Sequence, residues 1–370
     1  MTGDWQAVRG LYPALRNRTF LNTATFGQLS TRTVDAMDRH FRHRDELACS
    51  DFLGWFVDHD GLRKKLATLI NAQASDIAFL PNSNAGLAIL MHSIDWRPGD
   101  EILTLEGEFP NNIYAPAYLS HRGVKLIEAP WPDLIHSINQ RTRLVAVSSV
   151  NYTTGFRVPL SELASALAGR DIRFYVDATQ MLGAIRFDFN AIQPDLLAVN
   201  CYKWMLAPNG VAFMAVSARQ RERMEPLSIG WRSHHDWRNV DNLHLGTPSL
   251  VQSAEKYEGG MLPSSLLYGL EASVDLMLEL GPESIEKRVL DLASQTRAAL
   301  RAIGGEPLPF DDTAIVASRL PGRDASEVAR DLKQRNVMVS ARHGLLRVST
   351  HFYNDEQDIE RLAAALKNSD

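Results

Sequence analysis

The sequence predicts an α/β protein: a mainly parallel, seven-stranded sheet with helices on both faces, followed by a small C-terminal α+β unit. Three observations predict it. Seven short runs rich in Val, Ile, Leu and Ala recur between Ile77 and Val216, most are separated by segments long enough for a crossover helix, and the pattern changes after about Lys256. Near-continuous apolar runs mark strands buried on both faces. Helices interleaved between them mark parallel crossovers.

In chain order the strand candidates are "DIAFLP", "DEILTLE", "VKLIEAP", "TRLVAVSSVN", "IRFYVDAT", "DLLAVN" and "GVAFMAVS". Segments such as "SNAGLAILMHSIDW" and "PLSELASALAGR" have the length and apolar spacing of crossover helices. Only "CYKWMLAPN" joins the last two strands, which is too short for a crossover, so the seventh strand is expected to run antiparallel. Beyond Lys256, "SSLLYGLEASVDLMLELG" and "ESIEKRVLDLASQTRAALRAIG" read as two long helices. A smaller unit follows: "TAIVASR", a helix from Ala325 to Arg335, "VMVSAR", "LLRVST" and a closing helix from Asp355. The expected division is an N-terminal arm (1–20) packing on the small domain, a large cofactor-binding domain (21–255) and a small C-terminal domain (256–370). With no Ser/Gly linker between them, the active site is expected in the crevice where they meet.

Composition narrows the partners. The 370 residues are 45% hydrophobic and 22% charged, with a formal net charge of −5. That balance belongs to an ordinary globular protein and gives no reason to expect nucleic acid or an anionic membrane. The basic run "RQRER" reads as a solvated helix start. The N-terminus lacks a secretory apolar region, no run is long enough to span a bilayer, and the only cysteines are Cys49 and Cys201. A cytoplasmic protein is expected. In "WRSHHDW", His234 and His235 stand beside Asp236, but neighbours in sequence point in different directions, so a loop role is expected and no metal. His40 and His43 read as members of a polar helix face. The glycine-rich nucleotide motifs, H-E-x-x-H and G-x-S-x-G do not occur.

Open α/β sheets bind ligands at the carboxyl ends of their strands. Three stretches put chemistry there. "LPNSNAG" places Ser83 and Asn84 at a strand-to-helix junction, where free N–H groups and the helix dipole favour a phosphate. Taken alone, this is more simply a helix cap. "YVDATQ" ends an apolar strand on Asp177, a carboxylate that needs a cation or a donor network if buried. Its ordinary role would be to cap the next turn. "NCYKW" sets Lys203 between two apolar runs. Such a lysine either snorkels to water or is buried to lower its pKa and act as an amine nucleophile. Together, lysine, acid and phosphate cradle on one sheet edge are what pyridoxal 5′-phosphate (PLP) requires.

On these motifs the chain resembles the class V branch of fold-type I PLP-dependent enzymes, which holds cysteine desulfurases, kynureninases, isopenicillin N epimerase-like proteins and some aminotransferases. The resemblance runs from "FLNTATFGQLS" to the final helix and is most specific in "YVDATQMLGAIRFDFNAIQPDLLAVNCYKWMLAPNGVAFMAV" and "LLRVSTHFYNDEQDIERL". It implies that Lys203 is the Schiff-base lysine, that Asp177 holds the pyridine nitrogen protonated, and that Gln180 bonds the cofactor's phenolic oxygen. It further implies that Phe109, in "GEFPNNIY", stacks on the ring, that Ser83, Asn84 and Tyr202 bind phosphate, and that Arg347 grips the substrate carboxylate in a bidentate pair. A homodimer with a shared active site is implied, with "GWRSHHDW" and "KYEGGMLP" at its interface.

The chain also departs from its relatives. The loop "VSARHGLLR", before Arg347, holds no cysteine where desulfurases carry their nucleophile. Tyr202 stands where desulfurases have a histidine, and Met261 stands where relatives place a Thr or Asn that reaches a neighbouring subunit's phosphate. Methionine cannot donate that bond. The leading expectation is therefore a carbon–sulfur β-lyase acting on an S-substituted cysteine. The alternatives are an aminotransferase, epimerase, decarboxylating deaminase or kynureninase-like hydrolase on the same frame, or a PLP-binding protein without turnover.

Overall fold

The computed structural model describes residues 4–243 and 246–367. A two-residue strand, β1 (Thr19–Phe20), comes first. The seven apolar runs follow as β2 (Ile77–Leu80), β3 (Glu101–Leu105), β4 (Lys125–Ala129), β5 (Thr142–Ser148), β6 (Arg173–Asp177), β7 (Leu196–Asn200) and β8 (Ala212–Val216). The remaining strands are β9 (Glu306–Pro307), β10 (Ile315–Arg319), β11 (Val337–Met338), β12 (Ser340–Arg342) and β13 (Leu345–Ser349).

The seven runs form one sheet in the order β2-β8-β7-β6-β5-β3-β4. Strand β8 is antiparallel to both β2 and β7, as the short connection demands, and the other pairs are parallel. Side chains alternate between the faces of a strand. Val145, Val147, Val176, Leu197 and Val199 enter one core with the helices Phe52–Ile70, Leu160–Leu167 and Ser264–Leu280. Leu144, Ala146, Tyr175, Leu196 and Ala198 enter another with the helix Ser83–His92. Burial on both faces is why these runs carry no polar alternation, except at the edge strand β4, where Lys125 and Glu128 are exposed.

A third core gathers Leu21, Leu300, Val316, Val328, Leu346, Val348 and Leu362 around a four-stranded antiparallel sheet, β12-β13-β10-β9. The segment "VMVSAR", expected as one strand, is split at Val339. Val337 and Met338 pair in parallel with Thr19 and Phe20, and Ser340 to Arg342 pair with β13. The N-terminal segment thus takes the first half of the run.

Two further expectations need correction. His40 is only 6% exposed, because the helix Ser264–Leu280 packs on the helix Thr31–Leu47 and encloses its ring between Trp55 and Tyr268, at 4.8 and 5.0 Å. The "RQRER" run forms the helix Ala218–Arg223, but it is anchored as well as solvated. Arg219 binds Asp195 at 2.7 Å, and Arg221 binds Asp76 and the Val216 carbonyl. Among the described residues, no helix is long and apolar enough to cross a membrane and no three His, Cys, Asp or Glu side chains gather as metal ligands do.

Candidate active site

The carboxyl ends of β5, β6 and β7 lie side by side and present Ser148, Asp177 and Asn200, all buried. Asp177 is held by two donors. The Thr179 N–H donates to Oδ1 at 2.8 Å and the Ser83 hydroxyl to Oδ2 at 3.0 Å. Asn200 supports Ser83 from behind: its Nδ2 donates to the Ser83 hydroxyl at 2.7 Å, and its Oδ1 accepts the Ser83 N–H at 3.0 Å. A carboxylate locked in this way keeps a fixed direction, which is what partnering a ring nitrogen needs.

Lys203 lies just beyond β7 and is 8% exposed. Its amine makes no hydrogen bond or ion pair with the described residues and sits 5.3 Å from the centre of the Phe109 ring and 5.8 Å from that of Tyr202. Burial pulls its pKa down to about 8; Asp177 opposes the shift, and Arg347 and Arg342 add to it. A lysine kept buried without a partner is poorly placed for structure and well placed for covalent chemistry with a carbonyl.

The lysine's loop is fixed by its own carbonyls. The Tyr202 carbonyl accepts the Gly27 N–H at 2.9 Å, that of Lys203 the Leu206 N–H at 3.1 Å, and that of Met205 the Ser273 hydroxyl at 2.6 Å. The Trp204 carbonyl is 2.9 Å from His351 Nε2. His351 Nδ1 accepts the Phe352 N–H, so Nε2 carries the proton and donates. Leu206 takes the left-handed conformation (φ 52°) needed to turn this tightly. At Gly27, a Cβ would stand 2.1 Å from the Lys203 carbonyl oxygen, so only glycine permits the approach.

Arg347, on β13, is 1% exposed, and no acidic side chain pairs with it among the described residues. Its guanidinium donates to the Ser340 hydroxyl at 3.0 Å, the Tyr152 carbonyl at 2.6 Å and the Thr25 hydroxyl at 2.7 Å. Burial and the neighbouring Arg342 both press its pKa down. A buried guanidinium without a counter-ion calls for a carboxylate from outside the chain.

The other expected site residues fall into two groups. Phe109 and Tyr202 flank the amine, with Tyr202 packed against Phe26 at 5.0 Å. Burial raises the Tyr202 phenol's pKa, reinforced by Asp177. Gln180 is committed to the loop: it donates to the Ala24 carbonyl at 3.0 Å and accepts from Trp204 Nε1 at 2.8 Å. One N–H of its amide remains for a ligand. Ser83 turns its hydroxyl to Asp177 and its N–H to Asn200, so the Asn84 side chain and N–H stay open at this helix start, without partners among the described residues. Met261 is 54% exposed.

Several residues here went unnoticed in the sequence. Asn200 heads the lysine stretch, yet only the parallel register sets it beside Asp177 and Ser83. Glu108, immediately before Phe109, is buried and accepts from Ser148, through its N–H at 2.5 Å and hydroxyl at 2.6 Å, from Asn112 at 3.2 Å and from the Phe109 N–H at 3.1 Å. Burial raises its pKa. It thereby anchors Phe109 to the end of β5. Thr25, Ser340 and His351 stand inside the quoted stretches, but nothing in their local sequence marks the distant partners they serve.

A buried unpaired amine, a fixed buried carboxylate and an open helix start fit PLP, and the uncompensated guanidinium fits an amino-acid carboxylate. The comparisons agree. Residues 56–362 match the aminotransferase class-V family. Isopenicillin N epimerase of Streptomyces clavuligerus is 29% identical over 98% of each chain, and that of Amycolatopsis lactamdurans is 30% identical over 82% of this chain and 83% of that one. A probable cysteine desulfurase of Methanothermobacter thermautotrophicus is 24% identical over 97% and 96%. The cystine C–S lyase C-DES, solved with its product cysteine persulfide, has the same fold, with a TM-score of 0.88 and 22% identity over 96% of this chain and 99% of that one. A C-DES variant with glycine covalently linked to its PLP gives a TM-score of 0.89 at 22% identity, over 97% of this chain and 99% of that one. The chain belongs to the aminotransferase class-V family of fold-type I enzymes, and its cofactor is PLP.

Proposed function

We propose that the protein is a carbon–sulfur β-lyase acting on an S-substituted cysteine. PLP, when bound at Lys203, supplies an electron sink for negative charge at the substrate's α-carbon. The chain's own residues supply the rest. Arg347 binds the substrate carboxylate through its paired N–H groups. Asp177, held by Ser83 and Thr179, stabilises a protonated ring nitrogen. Phe109 would cover the ring, and Asn84 and Tyr202 would serve the phosphate, since the Ser83 hydroxyl and N–H are committed to Asp177 and Asn200.

The Lys203 amine, set free when the substrate's amine takes its place, takes the proton from the α-carbon. The Cβ–S bond then breaks, and the sulfur leaves as a thiolate with the bonding pair. The released enamine takes up water to give pyruvate and ammonia. No thiol of the chain takes part. Cys201 is fully buried with its thiol's pKa pushed up by burial, and Cys49 lies in the turn between two helices. The segment before Arg347 is a two-residue hairpin turn, His343 and Gly344, both with positive φ (48° and 78°) and neither able to attack sulfur.

The observation that carries this reading is the buried, uncompensated Arg347 in one site with an unpartnered Lys203 and no thiol. Pyruvate release from S-substituted cysteines by the PLP-loaded protein tests it, with Lys203→Ala as control. Lysine removal is expected to lower the rate at least about 10²–10⁴-fold. A cofactor spectrum that shifts with these substrates while no pyruvate forms would sink the lyase reading and move attention to transamination or epimerisation. We also propose a homodimer, with the segments 230–237 and 256–263 at its interface.

A further inference from the structure

Beside the site, and lined by the two neighbours of Phe109 in sequence, Glu108 and Pro110, lies a cleft of about 700 Å³, a volume suited to a small-molecule group. Its walls are Ile113, Tyr114, Trp131, Tyr152, Phe156 and Phe310. Tyr152 joins it to the carboxylate anchor, because the Tyr152 carbonyl accepts from Arg347 at 2.6 Å. The Phe109 ring, 5.3 Å from the Lys203 amine, meets the Tyr152 ring edge-on at 5.2 Å. A substrate held by Arg347 and Lys203 therefore has this cleft one ring away.

We propose that the cleft receives the substituent on the substrate's sulfur and that this substituent is a bulky apolar or aromatic group; the identification of sulfur rests on the lyase reading above. The lining contains no lysine or arginine, so an acidic substituent finds no partner there. Most of its polar groups are already engaged; the exceptions among the described residues include the Glu106 carboxylate and the buried Thr153 hydroxyl. Glu108 is saturated by Ser148, Asn112 and Phe109, and Asn151 accepts from the Thr153 and Thr154 N–H groups while donating to the Gly107 carbonyl. His343 is 3.0 Å from the Tyr152 hydroxyl. Apart from those two groups, what remains is mainly aromatic and apolar surface, including Tyr114, which is 71% exposed at the rim.

The walls are also preformed. Phe156 and Phe310 pack edge to face at 5.3 Å. Gly155 (φ 78°) lies so close to β10 that a Cβ would sit 2.6 Å from the Ile315 carbonyl oxygen. A rigid apolar cleft binds a ring without first ordering itself.

The test compares kcat/KM for S-benzyl-L-cysteine and S-methyl-L-cysteine in the holoenzyme, and in parallel titrates the bound-cofactor spectrum with L-phenylalanine and L-alanine. The benzyl substrate and phenylalanine are expected to be favoured by at least about tenfold, from burial of the ring. Ile113→Trp, which fills the cleft, is expected to reduce that preference about tenfold, and Phe310→Ala, which removes one wall, to reduce it several-fold. The second variant decides if the first fails to fold. Equal kcat/KM for the two substrates, or a preference unmoved by either variant, overturns the cleft assignment while leaving elimination standing. No pyruvate from either substrate, with phenylalanine still favoured in the spectral titration, overturns the lyase reading and leaves the cleft assignment standing.

Discussion

An amine and a guanidinium, both buried and both without a carboxylate partner, determine what the site can hold. Desolvation lowers the Lys203 pKa from 10.5 to about 8. Capture of PLP by the apoenzyme, followed by cofactor absorption, is therefore expected to accelerate through about pH 8 and then level off. A rate still climbing near pH 10 would show an ordinary lysine. The same shift has a consequence for stability. The folded apoenzyme binds this proton more weakly than the unfolded chain, so Lys203 costs stability below about pH 8, and the cost fades as pH rises from there to 10.5. At Arg347 the expectation concerns binding. Lysine keeps the charge but not the planar pair of donors. Arg347→Lys should raise KM for the amino acid about 10- to 100-fold, in line with about 1.5–3 kcal/mol for a hydrogen bond to a charged group, and should move kcat much less. Steady-state kinetics checks it, and an unchanged KM would place the carboxylate elsewhere.

At the level of elements, the active lysine is positioned by a loop whose carbonyls are bonded by three distant parts of the chain: Gly27, Ser273 and His351. His351 is fully buried and its pKa is lowered to about 3 by burial, so it stays neutral and its Nε2–H keeps donating to Trp204. His351→Leu leaves the Trp204 carbonyl without a partner and should cost about 1–3 kcal/mol of stability, measured by denaturant unfolding. Turnover should fall with it, because the Trp204 carbonyl is adjacent to Lys203. This contact also shows what the sequence could reveal. Strands such as "DLLAVN" were legible because burial on both faces leaves an unbroken apolar run. Lys203 and Asp177 were legible because a charge at the end of such a run needs a reason. His351 was not, since nothing near it in sequence marks the carbonyl it serves. The split of "VMVSAR" was equally hidden, because pairing with Thr19 and Phe20 is a choice of partner and leaves no periodicity. Ser83 illustrates a subtler limit: its position at the helix start was readable, but the direction of its hydroxyl depends on Asn200 and Asp177.

On the scale of the whole molecule, an ion network with a buried centre and an exposed Arg238–Asp60 pair at its edge fixes the segment expected at a subunit boundary. Arg63 pairs with Glu258 at 2.6 Å, Arg232 with both Glu255 and Glu258 at 3.1 and 3.0 Å, and Arg238 with Asp60 at 2.9 Å. Glu258 also accepts the Phe79 N–H at 2.8 Å, which ties the network to β2. Removing that carboxylate with Glu258→Ala leaves Arg63 and Arg232 short of a counter-ion and should cost about 3–5 kcal/mol. In front of this rigid backing, Leu227, Ile229, Trp231 and Met261 are 37–55% exposed. Apolar side chains held still at the surface favour a partner, since little conformational freedom is lost when they are covered. A second copy of the chain fits the proposed dimer, and sedimentation at micromolar concentration is expected to give twice the mass of the 41.3 kDa chain. Ile229→Asp combined with Met261→Asp should shift that mass toward the monomer, because an uncompensated charge pair at the contact disfavours closure. A wild-type protein that sediments as a monomer under these conditions would mean that the exposed patch serves another purpose and that the site functions within one chain.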